Sequence, residues 1–174
     1  KGVHLIYNTL YHLTTEALVF DRHHLKSDSG SPCNWSFQND QVKAEAFDLD
    51  LSSNHLFLKK AEGHLSSFSK GEVQFTSDDL DWEHTNNHLV LRGSPKVQES
   101  NVGTITSSQK VDLTLQDQKV HTLKTEGPTE LISPKGHTLK TEGPLEVDGY
   151  KKQVTVHPHT SQLIYQEEEL SLTA

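Results

Sequence analysis

Between Phe75 and Gly93 apolar and polar residues alternate in two runs. Leu80 and Trp82 alternate with Asp81 and Glu83, Asn86-Asn87 interrupts, and Leu89 and Leu91 then alternate with His88, Val90 and Arg92. Successive side chains of a strand point to opposite faces. A period of two therefore predicts two strands joined by a polar turn, with Leu80, Trp82, Leu89 and Leu91 on one face and most charges on the other. The pattern recurs 33 residues upstream, from Phe47 through Leu49 to Leu56 and Leu58, down to the Asn-His pair that opens the second strand. It recurs 31 residues downstream, from Val111 and Leu113 to Val120. Leu13–Asp21 aligns with Phe75–Glu83, and Leu163–Tyr165 reads as a shorter fifth copy.

The stretches between the copies fit the same rhythm. Residues 1–12 read as an opening arm, His23–Lys26 as a weak return strand, and Ser27–Asn34 as a loop after which Trp35 and Phe37 restart the alternation. The fourth copy has one extra residue, Lys110, which predicts a bulge. His121–Pro128 recurs without change as His137–Pro144, sixteen residues on. That is about the length of a two-stranded hairpin, so a duplicated hairpin is predicted. Asp148-Gly149 is a hairpin turn signal. No stretch carries ten residues at helical period. Short hairpins cannot bury their own apolar faces and must stack on neighbours.

The fold expected is all-β: an open antiparallel β-jellyroll, a folded-over roll built from repeated hairpins of about 30 residues. One domain spans 1–174, with irregular opening strands over 1–41, the best repeat match over 42–120, and a duplicated hairpin and closing strands over 121–174. Leu18, Phe20, Phe47, Leu49, Leu80, Trp82, Val111, Leu113, Leu163 and Tyr165 are expected in rows along its interior.

Composition narrows the function. The hydrophobic set is 32% of 174 residues, which suits an open sheet with one wet face. A net charge of −8 argues against unaided nucleic-acid binding, which needs a basic surface. Cys33 is the one cysteine, so no intrachain disulfide forms. No apolar run reaches the ~20 residues of a membrane helix. The chain begins at Lys1 and holds no methionine, so a processed or trimmed chain is expected, with a leader or anchor removed.

Candidate chemistry is sparse. Among twelve histidines the closest pairs are His23-His24 and His157-Pro158-His159, without a carboxylate or cysteine beside the second pair, so no metal site is expected. Cys33 has no histidine nearby in sequence, and no phosphate-binding or nucleophile-elbow motif occurs. Asp48, Asp50, Asp81 and Glu83 recur in register. They read as a solvated outer face, with acid pairs of a carbohydrate-active roll as the alternative. Neither enzyme activity nor a cofactor is expected.

Ser77 to Val97, ending Asn87-His-Leu-Val-Leu-Arg-Gly-Ser-Pro-Lys-Val97, resembles the repeat of the OstA-like family of lipopolysaccharide transport. Phe47–Leu58 and Val111–Val120 are weaker copies of it. The family includes the bridge protein LptA, the periplasmic part of LptC and the N-terminal domain of LptD. The resemblance implies a non-enzymatic periplasmic bridge that holds acyl chains in an apolar groove and docks end to end with like domains through edge strands. It implies lipopolysaccharide or a related lipid as ligand, other transport proteins of the family as partners, and head-to-tail homo-oligomers. Mapped onto this chain, the lipid-binding residues are Phe20, Phe47, Leu49, Leu56, Leu58, Leu80, Trp82, Leu89, Leu91, Val111, Leu113 and Tyr165. The lipid head group is expected outside the groove, near lysines such as Lys59 and Lys60. LptA-like and LptC-like roles both remain open. The alternative is a structural or adhesive β-repeat protein with a dry core.

Overall fold

The chain visits two half-sheets in turn, one hairpin at a time. The structure, a computed structural model, describes residues 2–7, 11–27, 31–37, 39–66, 71–117, 119–149, 151, 153–157 and 172–173. The first half-sheet opens with β1 (Val3–Tyr7) and β2 (Tyr11–Thr15), and the second with β3 (Leu18–Asp21) and β4 (His24–Ser27). β5 (Cys33–Phe37) and β6 (Asp40–Ala44) return to the first half, and β7 (Ala46–Asp50) to the second.

Two twelve-residue strands, β8 (His55–Ser66) and β9 (Glu72–Glu83), run through both halves. β8 pairs with β7 over one end and with β6 over the other. β9 pairs likewise with β10 (His88–Arg92) in the second half and with β11 (Lys96–Glu99) in the first. β11 and β12 (Gly103–Ser107), then β15 (Thr129–Ile132) and β16 (Thr138–Thr141), complete the first half. β13 (Lys110–Gln116) with β14 (Lys119–Glu126), then β17 (Leu145–Asp148) with β18 (Gln153–Val156), complete the second. The short β19 (Leu172–Thr173) lies parallel to β18.

The result is a single large sheet, antiparallel but for that last pairing and folded over along a crease: an open β-jellyroll. Among the described residues β1, β3 and β16 each pair on one side only, so the roll is not closed into a barrel. One 3₁₀ turn, His84–Asn86, interrupts the strands, and no helix among the described residues is long and apolar enough to cross a membrane.

Local chemistry explains the hairpins. In the second half-sheet the turns hold Arg22, Asn54, Asn87 and Asp117 at φ between 49° and 56°. Asn and Asp enter this left-handed region more readily than most residues, so Asn-His marks a turn and its return strand.

Inward side chains form rows that cross the strands in register. One runs Phe20, Leu25, Leu49, Leu56, Trp82, Leu89, Leu113, Leu123, Val147 and Val154 through the second half-sheet. Its counterpart in the first runs Leu5, Leu13, Trp35, Val42, Gly63, Phe75, Val97, Ile105, Leu131 and Leu139. The two half-sheets share one core, and the Trp35 ring of β5 meets Phe47 of β7 edge-on at 6.2 Å.

Along the crease the inward residues are small: Thr15, Cys33, Ala44, Ala61, Ser77, Ser107, Thr129 and Thr141 are all buried. The ladder breaks where the chain crosses, and hydroxyls take up several of the freed backbone groups. Ser107 donates to the Glu126 carbonyl at 2.6 Å, and Thr125 accepts from the Leu145 N–H at 2.9 Å.

Three expectations are corrected. The His121–Pro128 duplication is not a repeated hairpin. Its copies lie on β14 and β16 in different half-sheets, and each ends in a Gly-Pro corner where the chain crosses the crease. Each copy supplies an inward leucine (Leu123, Leu139) and a buried crease threonine (Thr125, Thr141). The next hairpin of the second half-sheet pairs β17 with β18, with Val147 occupying the place of Leu113. The proposed copy at Leu163–Tyr165 lies outside the described residues. The register irregularity of the fourth copy falls between Thr114 and Leu115, while Lys110 stays in register with Arg92 and Glu126. The opening strands β1 to β6 pair in regular register in both half-sheets, their alternation hidden by Thr, Cys and Ala at the crease.

Candidate functional site

The roll interior gathers the residues expected to face a lipid. Leu49, Leu56, Leu58, Leu80, Leu89, Leu91, Val111 and Leu113 are fully buried, and Phe47 and Trp82 nearly so. Phe47, Leu58, Leu80, Leu91 and Val111 form a second row beside the crease. Toward the hairpin tips Phe37, Leu65 and Val73 of the first half-sheet and Leu115 and Val120 of the second are also buried. The inward faces thus cover one another from crease to tips.

Phe20 is a correction. It stands in the row but is 62% exposed, because among the described residues no strand pairs beyond β3 to cover it. Tyr165 lies outside the described residues. The first half-sheet supplies half of the interior and was not among the expected site residues. Its signals were present in the alternations Trp35-x-Phe37, Val73-x-Phe75 and Thr104-Ile105-Thr106.

The edge at the N-terminal end of the roll is apolar. Ile6 on β1 is 58% exposed, and Val19 on β3 is 48% exposed beside Phe20. These are three of the four exposed large hydrophobics among the described residues.

The outer face of the second half-sheet carries an ionic ladder that repeats with the hairpins. Asp48 meets His24 at 2.7 Å and Lys26 at 3.1 Å, and Asp81 meets His55 and, at 3.2 Å, Arg92. Asp112 meets His88 at 3.5 Å and Lys110 at 3.3 Å, and Glu146 meets Lys124 at 3.2 Å. Asp48, Asp81, Asp112 and Glu146 each thus meet a basic side chain of a neighbouring strand. Lys110 also reaches Glu126 at 2.8 Å, and that hydrogen bond raises its pKa above the usual lysine value. Such exposed pairs contribute up to about 1 kcal/mol each. Lys59 and Lys60, expected near a head group, are engaged by Asp79 and Glu45.

Two other groups have clear structural roles. Asp50 accepts from the Ser52 N–H at 2.8 Å and from the Ser52 and Ser53 hydroxyls at 2.6 and 2.7 Å. Those hydroxyls hold its carboxyl well below the usual carboxylate range, so it ties the β7–β8 turn instead of merely facing water. Cys33 is fully buried, and burial pushes its thiol up to about 12, far from a reactive thiolate. Among the described residues no three His, Cys, Asp or Glu side chains converge as metal ligands, and His159 lies outside them.

A scan against family models finds no match for this chain, and a search of curated proteins finds none either.

Proposed function

We propose that this chain is a non-enzymatic, OstA-like lipid-binding bridge domain of lipopolysaccharide transport, working in the periplasm. The observation that carries the reading is the apolar row crossing ten strands of the second half-sheet and ending in solvent at Phe20. A row of this kind offers an acyl chain contacts at every strand, and burial stabilises a chain by about 0.8 kcal/mol per CH₂. Because the inward leucines are buried, uptake requires the half-sheets to part about their crease of small residues. Leucine–leucine contacts then become leucine–acyl contacts of similar dispersion energy. The net gain comes from removing the acyl chain from water.

β1 and β3, each paired on one side only among the described residues and carrying exposed Ile6, Val19 and Phe20, suit docking to a like domain by strand addition. Long exposed apolar edges are otherwise an aggregation liability.

A second reading, a structural or adhesive β-repeat protein with a dry core, is favoured by the complete burial of the inward leucines. Trp35 and Trp82, both nearly buried on opposite half-sheets, discriminate between the two. In the bridge reading, titration with micellar lipopolysaccharide shifts their emission saturably. In the dry-core reading the emission does not change.

A further inference from the structure

The outer face of the first half-sheet holds a cleft of about 380 Å³ over β6, β8, β9 and β11. Registers place its side chains in two rows. Gln41, His64, Gln74 and Gln98 lie across one, and Lys43, Glu62, Thr76 and Lys96 across the other. At the floor, Gly63 lies so close to β6 that a Cβ there would sit 2.3 Å from the Gln41 carbonyl oxygen. Every side chain in the two rows carries a polar group, and Phe75, which borders the cleft, turns its ring into the core.

Its lysines differ from four on the opposite half-sheet. There Lys26, Lys59, Lys110 and Lys124 are all held by carboxylates. Lys43 stands directly opposite Glu62 in register, yet among the described residues neither Lys43 nor Lys96 enters an ion pair. Two uncommitted ammonium groups therefore flank three amides and a carboxylate. Amide side chains donate and accept at once, which matches the paired hydroxyls of a sugar. Ammonium groups supply charge-assisted bonds to a carboxylate or phosphate.

We infer that this cleft binds an acidic saccharide, a sugar unit carrying a carboxylate or phosphate. The site is on the outward face, separate from the lipid-facing rows, and does not depend on them.

The test is an amide-resolved NMR titration of the full chain with digalacturonate and with glucose 1-phosphate, using maltose and inorganic phosphate as controls. The expected result is saturable shifts confined to β6, β8, β9 and β11 with at least one acidic sugar. Both controls bind at least tenfold more weakly, and Lys43→Gln/Lys96→Gln weakens the acidic sugar at least tenfold. Both lysines are exposed, so unchanged core resonances in the variant verify its fold. Three results would each overturn the proposal: no saturable shift at millimolar acidic sugar, equal binding of maltose, or the same shifts from inorganic phosphate alone. None of these outcomes bears on tryptophan emission with lipid, so this proposal and the bridge reading fail separately.

Discussion

At Gly63 an inward row of aliphatic and aromatic residues meets a residue without a side chain. The reason is contact: an added Cβ would sit 2.3 Å from the Gln41 carbonyl oxygen and 2.9 Å from the Val42 Cα, both backbone atoms that cannot swing aside. Gly63→Ala should therefore destabilise the protein by about 1–3 kcal/mol, as overpacking does, seen as a lower urea midpoint at unchanged slope. Leu49→Ala, at a fully buried site, should cost about 2–5 kcal/mol, and Leu49→Asp, which buries a charge, should abolish folding.

Asp50 gives a pH signature. Its folded pKa is depressed, so its contribution is full above the unfolded value of about 3.9 and is lost as pH falls through the lower folded one. Wild type and Asp50→Ala should differ in denaturation midpoint at neutral pH and converge in strong acid. A constant difference down to acid would show that the turn bonds do not matter. Period two was enough to place Leu49, Trp82 and Leu113 inward. Asp50 looked like any outward acid, because its hydroxyl partners sit beyond the strand and carry no periodic signal.

Among the elements, the corners deserve the closest comparison. Thr125 in the first His-Thr-Leu-Lys-Thr-Glu-Gly-Pro copy accepts the Leu145 N–H and the Thr129 hydroxyl, whereas Thr141 in the second serves only its own corner, through Gly143. Thr125→Val keeps the shape and leaves a buried N–H unpaired, at a cost of about 1–3 kcal/mol. Thr141→Val should cost less, and hydrogen exchange at Leu145 should quicken only in the first variant. The hairpins of the second half-sheet were legible because Asn-His turns and wide apolar alternation recur there. Corners were not, because their small, polar, buried residues imitate loop composition. The same eight residues can cross the crease in either direction, and nothing in the sequence alone tells a corner from a hairpin turn.

At the scale of the whole molecule, hairpins among the described residues alternate between half-sheets joined by two shared strands, so each repeat of roughly 30 residues adds one hairpin to each half-sheet. The roll can lengthen at either end without changing its cross-section, and its edges invite strand addition. The groove reading and the dry-core reading share every contact in the lipid-free fold. They part only when lipid is present. The decisive measurement places a photoreactive residue at Leu49, Trp82 or Leu113, with exposed Thr114 of β13 as the outward control, in cells that make the protein. A lipid conduit predicts lipopolysaccharide crosslinked at the inward positions and not at Thr114. Inward sites that capture only other residues of this chain would contradict the conduit and leave the interior a dry core.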